Sequence, residues 1–359
     1  MGRLSIGCLT LILCLFVGDL DAATMRIHYD TGFGNRITVR GDAESLSWFS
    51  GRDARWSSGN VWILDVPESD GGFTFKPLLN DRVWSKGANY TVPSGDAVVD
   101  IYPFFLASRG RVDRPGALPS TALGNAREVF VYLPPSYDEN PLKHYPVLYM
   151  HDGNNLFFGS TSFGGVEWQV DETLDAMIPA GAAREVIVVG LGNTSNRIGE
   201  YTPVADPSYG GGQADAYLDF IENEVMPWAA DRYRVLTGPE HTFIGGSSLG
   251  GLVSFYGAWT RSHVYGSAIC MSSSFWWNEE WMVNRTETFS GPPPGVDFYI
   301  DSGSDIVEPT YEMVDALEDL GYVQGDDLHH VHVPSHAHNE IAWRIRFPIA
   351  VGRLLPWNP

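Results

Sequence analysis

Lysine is nearly absent from this chain. Lys76, Lys86 and Lys143 are the only three in 359 residues, and 44 acidic side chains against 23 basic ones leave a formal net charge of −21. A surface this acidic repels phosphate backbones and anionic headgroups, which disfavours nucleic-acid and membrane-surface roles. Cysteine is just as scarce: Cys8 and Cys14 fall in the first apolar segment, and Cys270 alone follows it. No disulfide can form within the remainder, and a single thiol in an apolar strand reads as core. Long hydrophobic runs are missing too. Leu4 to Val17, behind Arg3, is too short to span a bilayer comfortably and reads as a secretory leader over residues 1–23, with cleavage after Ala22 or Ala23. The expected location is secreted or periplasmic, with no membrane contact after cleavage. No Cys or acidic cluster at metal-ligand spacing accompanies the histidines, so neither a metal nor a cofactor is expected.

The length favours two domains. Over residues 24–105, short alternating runs such as Arg36-Ile-Thr-Val-Arg40 and Asn60-Val-Trp-Ile-Leu-Asp-Val66 are punctuated by Gly, Asn, Asp and Ser. This spacing predicts a small antiparallel β-sandwich. The order of its strands and turns resembles immunoglobulin-like starch- and glycogen-binding modules, in which exposed tryptophans stack on sugar rings. Trp56 and Trp84, among polar neighbours, are the glycan-binding candidates, and Trp62, between Val61 and Ile63, is assigned to the core. Residues 106–126, rich in Gly, Pro, Ser and Arg, read as a linker.

From residue 127 to 359 the pattern becomes alternating strands and helices. The strands, among them Pro146-Val-Leu-Tyr-Met150 and Ser267-Ala-Ile-Cys-Met271, are almost continuously apolar, which implies burial on both faces. The fold class is therefore α/β, with a mostly parallel sheet, helices outside it, and its site at the carboxyl ends of the strands.

Gly246-Ser-Ser-Leu-Gly250 supplies the chemistry. It has G-x-S-x-G spacing between a short buried strand from His241 and a helix from Leu249, the context of a nucleophile elbow, and Ser248 is its central serine. Ser247 fits worse, because reading from Gly245 puts Leu249 where the second glycine belongs. Serine needs a base and a group to orient that base. His338, in the loop before the last helix, is the expected base, with His336 as its rival. Asp305, in the turn after a strand, is the expected acid, with Asp301 and Glu308 still open. The oxyanion is assigned to the N–H of Leu249 together with that of Gly153 or Asn154, and Phe157, Trp168, Tyr201, Trp276 and Trp277 are expected to wall an acyl pocket.

Tyr145-Pro-Val-Leu-Tyr-Met-His-Asp-Gly153, Glu200-Tyr-Thr-Pro203, Gly245-Gly-Ser-Ser-Leu-Gly-Gly251, Ser272-Ser-Ser-Phe-Trp-Trp277 and His338-Asn-Glu-Ile-Ala-Trp343 resemble the esterase superfamily of α/β-hydrolases. That superfamily includes esterase D, feruloyl and acetylxylan esterases and the enterochelin esterases. The resemblance covers about two thirds of the chain and implies Ser248 as nucleophile and His338 as base. It implies a secreted serine carboxylesterase acting on acyl or feruloyl esters of a small molecule or polysaccharide, with a glycan as a further partner. A siderophore trilactone esterase and a non-catalytic glycan-binding protein on a hydrolase scaffold are the alternatives.

Overall fold

Alternate burial shapes the first strands in the computed structural model, which describes residues 23–67, 72–95 and 98–357. The expected leader lies outside the described residues apart from Ala23. In Ala23–His28 the apolar Ala23, Met25 and Ile27 face inward while Arg26 faces solvent. This strand sits between Val61–Val66 and Val98–Ile101, with Arg55–Ser57 at the edge. A second sheet holds Arg52–Asp53, Ile37–Gly41, Phe73–Leu79 and Val83–Trp84, and Tyr90–Val92 also pairs with Phe73–Leu79. Met25, Ile27 and Leu64 from the first sheet share one core with Val39, Phe75 and Tyr90 from the second. The region departs from an all-antiparallel expectation, because Ala23–His28 and Val98–Ile101 run parallel. No hairpin joins these two strands, so nothing local fixes their relative direction.

The second region is built on an eight-stranded sheet. Its order is Arg111–Pro119, Ala126–Leu133, Ile187–Leu191, Val147–His151, Thr242–Ser247, Ser267–Met271, Asp297–Ser302 and Leu328–His332. From Ile187–Leu191 onward every neighbouring pair is parallel, and the first two strands are antiparallel additions at one edge. Separate apolar cores cover the two faces. Leu249–Thr260, Trp277–Glu287 and Val307–Asp319 pack with one, and Val170–Ala180 and Glu340–Leu354 with the other. Cys270 is fully buried in Ser267–Met271.

The expected linker is corrected here. Nine of its residues, Arg111–Pro119, form the edge strand of the large sheet, with a bulge between Asp113 and Gly116. An edge position tolerates Pro115, because the outer side of such a strand needs no ladder donor. The N-terminal region is tied down just beyond it. Glu139 accepts hydrogen bonds from the backbone N–H groups of Phe105, Leu106 and Ala107 and from Tyr29 Oη, and Asn140 Nδ2 donates to the carbonyls of His28 and Pro103 at 2.9 Å each.

Candidate functional site

Six parallel strands point their carboxyl ends at one side of the sheet, and the chemistry gathers there. Thr242–Ser247 ends in a turn at Ser248 that leads directly into the helix Leu249–Thr260. Ser248 has φ 58° and ψ −124°, a left-handed conformation that costs a side-chain-bearing residue energy and persists only where its surroundings enforce it. The flanking glycines permit the turn: a Cβ at Gly246 would lie 3.0 Å from the backbone of Gly250. Ser248 N–H is held by the Met271 carbonyl at 2.9 Å, and its Oγ lies 3.4 Å from Ser274 Oγ.

A cavity of about 320 Å³ opens over this turn, and Ser248 and His338 both line it. His338 Nδ1 is hydrogen-bonded to Asp305 Oδ2, and the Trp343 ring stands edge-on to the imidazole at 4.9 Å. With Nδ1 engaged, Nε2 is the nitrogen left for another partner. Ser248, His338 and Asp305 thus gather at the strand ends. Their rivals are placed elsewhere. Asp301 is fully buried, paired with Arg346 Nη2 at 3.1 Å, and accepts from Ser272 N–H and Tyr299 Oη. Burial raises its carboxyl to about 6 in spite of these partners. Glu308 is exposed at the start of Val307–Asp319. The His336 carbonyl accepts from Ser304 N–H at 2.7 Å, so that residue closes the turn carrying Asp305. Ser247 also borders the cavity, but as the last, buried residue of its strand.

Leu249 opens the helix after the elbow, so its N–H belongs to a helix N-terminus. Gly153 and Asn154 lie in the single turn Gly153–Asn155 after Val147–His151. Gly153 packs against the neighbouring strand, where a Cβ would come within 2.4 Å of the Gly190 backbone. The Asn154 side-chain Oδ1 accepts from Asn193 N–H at 3.2 Å.

The aromatic wall is corrected. Phe157, Trp168, Tyr201 and Trp277 are each at most 3 % exposed and belong to the two cores. Trp168 packs on Trp343 and Phe347, and Tyr201 Oη accepts from Asp152 N–H at 3.2 Å. Trp276 is partly exposed but packs against Tyr209 outside the cavity. Phe163, which is 77 % exposed, and Trp343 supply the aromatic surface instead.

The remaining lining is polar, and sequence reasoning missed most of it. Asp152, itself left-handed at φ 54°, is gripped by Arg197 through Nε at 2.7 Å and Nη2 at 2.8 Å, and by Asn193 Nδ2 at 2.7 Å. This bidentate pair ties the loop after Val147–His151 to the loop after Ile187–Leu191. The available signal was Arg197, three residues before Glu200-Tyr-Thr-Pro203. Glu340 faces the same cavity, where burial raises its carboxyl. His151 lies beneath with Nδ1 on Tyr217 Oη at 2.8 Å, and burial pushes it down to about 3, so it stays neutral.

The family model described as "Putative esterase" matches residues 120–345. The siderophore triacetylfusarinine C esterase of Aspergillus fumigatus is 30% identical over 155 residues, a match covering 40% of this chain and 49% of that protein. The chain thus spans about half the length of that curated relative. Among solved structures, a ferulic acid esterase aligns with TM-score 0.54 and 19% identity, over 69% of this chain and 98% of its own. The enterobactin esterase of Shigella flexneri aligns with TM-score 0.55 and 14% identity over 89% of this chain and 88% of its own. At such identities these two likenesses are of fold.

Proposed function

The chain belongs to the esterase family whose model spans residues 120–345, and from that premise we propose that it is a serine carboxylesterase using Ser248, His338 and Asp305. The observation that carries this is the strained Ser248 backbone at the mouth of a cavity shared with a histidine already oriented by a carboxylate. His338 Nε2 takes the Ser248 hydroxyl proton as Oγ attacks the ester carbonyl, and the N–H of Leu249 with that of Gly153 or Asn154 receives the charge developing on oxygen. Collapse breaks the ester C–O bond. The alcohol leaves with the proton from His338, and an acyl group remains on Ser248. Water, deprotonated by the same nitrogen, then releases the carboxylic acid.

For the substrate, acyl or feruloyl esters, free or on polysaccharide, are the first choice, on a secreted or periplasmic enzyme. No described helix is long and apolar enough to cross a membrane. Exposed Trp84, which packs against Trp48 at 6.3 Å, supports glycan binding by the N-terminal region, and exposed Trp56 is a second stacking face on the other sheet. A siderophore ester is the second reading, favoured by the named activity of the Aspergillus fumigatus relative. Hydrolysis of p-nitrophenyl acetate, methyl ferulate and a siderophore trilactone, compared side by side, ranks the two. A fluorophosphonate should label Ser248, and failure both to label it and to cleave any of the three esters would leave only a non-catalytic scaffold.

A further inference from the structure

A second cavity, of about 240 Å³, opens between the two regions at the end of the parallel strands opposite Ser248. One wall consists of residues that precede strands: Pro146 before Val147–His151, Arg184 and Glu185 before Ile187–Leu191, and His241 before Thr242–Ser247. The other consists of Tyr102 from the N-terminal region and Trp357 from the C-terminal tail, whose ring stands edge-on to Tyr90 at 6.0 Å.

The carboxylates here already have partners. Glu185 accepts from Lys143 Nζ and Ser136 Oγ at 2.6 Å each, and Asp100 is paired with Arg26 and His28. Arg184 differs. Its guanidinium lies over the Phe243 ring at 4.6 Å, its Nε is buried without a hydrogen-bond partner, and among the described residues no carboxylate lies within ion-pair distance. Burial lowers its pKa. A half-buried cation without a counter-charge is unfavourable, and in a chain with 44 acidic residues a counter-charge was readily available. Arg184 borders this cavity together with Tyr102 and Trp357, and also a neighbouring one with Phe243, Glu240, Asp297 and Asp326; this cavity's volume lies below the roughly 300–1,000 Å³ of sites for drug-sized ligands. That limits the occupant to about one ring.

We propose that this interdomain cavity binds a small aromatic carboxylate, with its carboxylate on Arg184 and its ring between Tyr102 and Trp357. Because the ligand would touch both regions, its binding would also raise the melting temperature of the full chain. The test is calorimetric titration of the full chain with 4-hydroxybenzoate, benzamide and cyclohexanecarboxylate. One saturable site for 4-hydroxybenzoate is expected, with about tenfold weaker binding for the uncharged and the non-aromatic analogue and for Arg184→Gln, the loss of one charge-assisted hydrogen-bonded pair. Trp357→Leu, which keeps the charge and removes the ring, should weaken it as well and serves if Arg184→Gln does not fold. Undiminished binding to both variants, equal binding of benzamide, or no saturable binding by the unaltered chain would overturn the proposal.

Discussion

Ser248 and Ser247 are adjacent yet answer different needs, one strained and facing the cavity, the other closing a strand. Ser248→Ala should lower ester hydrolysis by about four to six orders of magnitude with an unchanged fold, whereas Ser247→Ala should keep most of the activity. Exchanged outcomes in a p-nitrophenyl acetate assay would refute the assignment. The carboxylates separate in the same way. Asp305→Asn removes only the group orienting His338, so kcat/KM should fall by about three to four orders of magnitude while the urea midpoint barely moves. Asp301→Asn leaves Arg346 buried without its counter-charge and should cost about 3–5 kcal/mol of stability. His151 sets an acid limb of stability. Its folded pKa, near 3, lies below the unfolded value near 6.5, so its contribution is fully present above that value and is lost as pH falls. Unfolding free energy should fall by about 1.4 kcal/mol per pH unit below roughly pH 6 through this group, and His151→Gln should flatten the limb in denaturant titrations. The strand–turn–helix around Ser248 was legible because its motif is local in sequence. The Asp152–Arg197 grip was not, because the two residues meet only when adjacent strands bring their loops together.

At the scale of elements, apolar strand runs and helix periods located most of the large sheet, and the helix Leu249–Thr260 begins at the residue the motif predicts. The edge strand Arg111–Pro119 was not legible, since Gly, Pro and Arg mark linkers and edge strands alike and only pairing to Ala126–Leu133 distinguishes them. The aromatic residues failed for a related reason. Rings that follow strands read as pocket walls in sequence, yet at these positions Phe157, Trp168, Tyr201 and Trp277 fill the space between sheet and helix. The turn carrying Asp305 offers a direct test of element placement. Gly303 lies so close beneath the His336–His338 loop that an added Cβ would stand 2.1 Å from the His336 carbonyl. Gly303→Ala should therefore separate acid from base, lowering kcat about a hundredfold at a stability cost of about 1–3 kcal/mol. Full activity in that variant would show that the turn can yield without disturbing the site.

In the whole molecule, the N-terminal region meets the α/β region at the amino ends of the strands, and every residue lining the Ser248 cavity lies at or after Asp152. Removing residues 24–103 should leave kcat/KM for p-nitrophenyl acetate within a few-fold, measured well below the melting temperature. It should also lower that temperature, because Glu139 loses the Tyr29 hydroxyl and Asn140 loses the His28 and Pro103 carbonyls. A collapse of small-ester turnover at low temperature would mean that the N-terminal region shapes the catalytic cavity. The change in strand periodicity between the two sheets was legible in the sequence, but the manner of docking was not, since it rests on contacts between distant residues, among them Glu139 with Tyr29, Gly87 N–H with the Pro179 carbonyl and Trp357 with Tyr90. The buried thiol of Cys270 has a practical corollary. In a chain beginning at Ala23 it is the sole cysteine, fully enclosed, with burial holding it well above its usual pKa. Maleimide dyes should therefore ignore the folded protein, and cysteines introduced at the exposed positions Phe49 and Val323 could carry a donor–acceptor pair without a cysteine-free background. Single-molecule energy transfer between them would then report how rigidly the two regions are held during turnover.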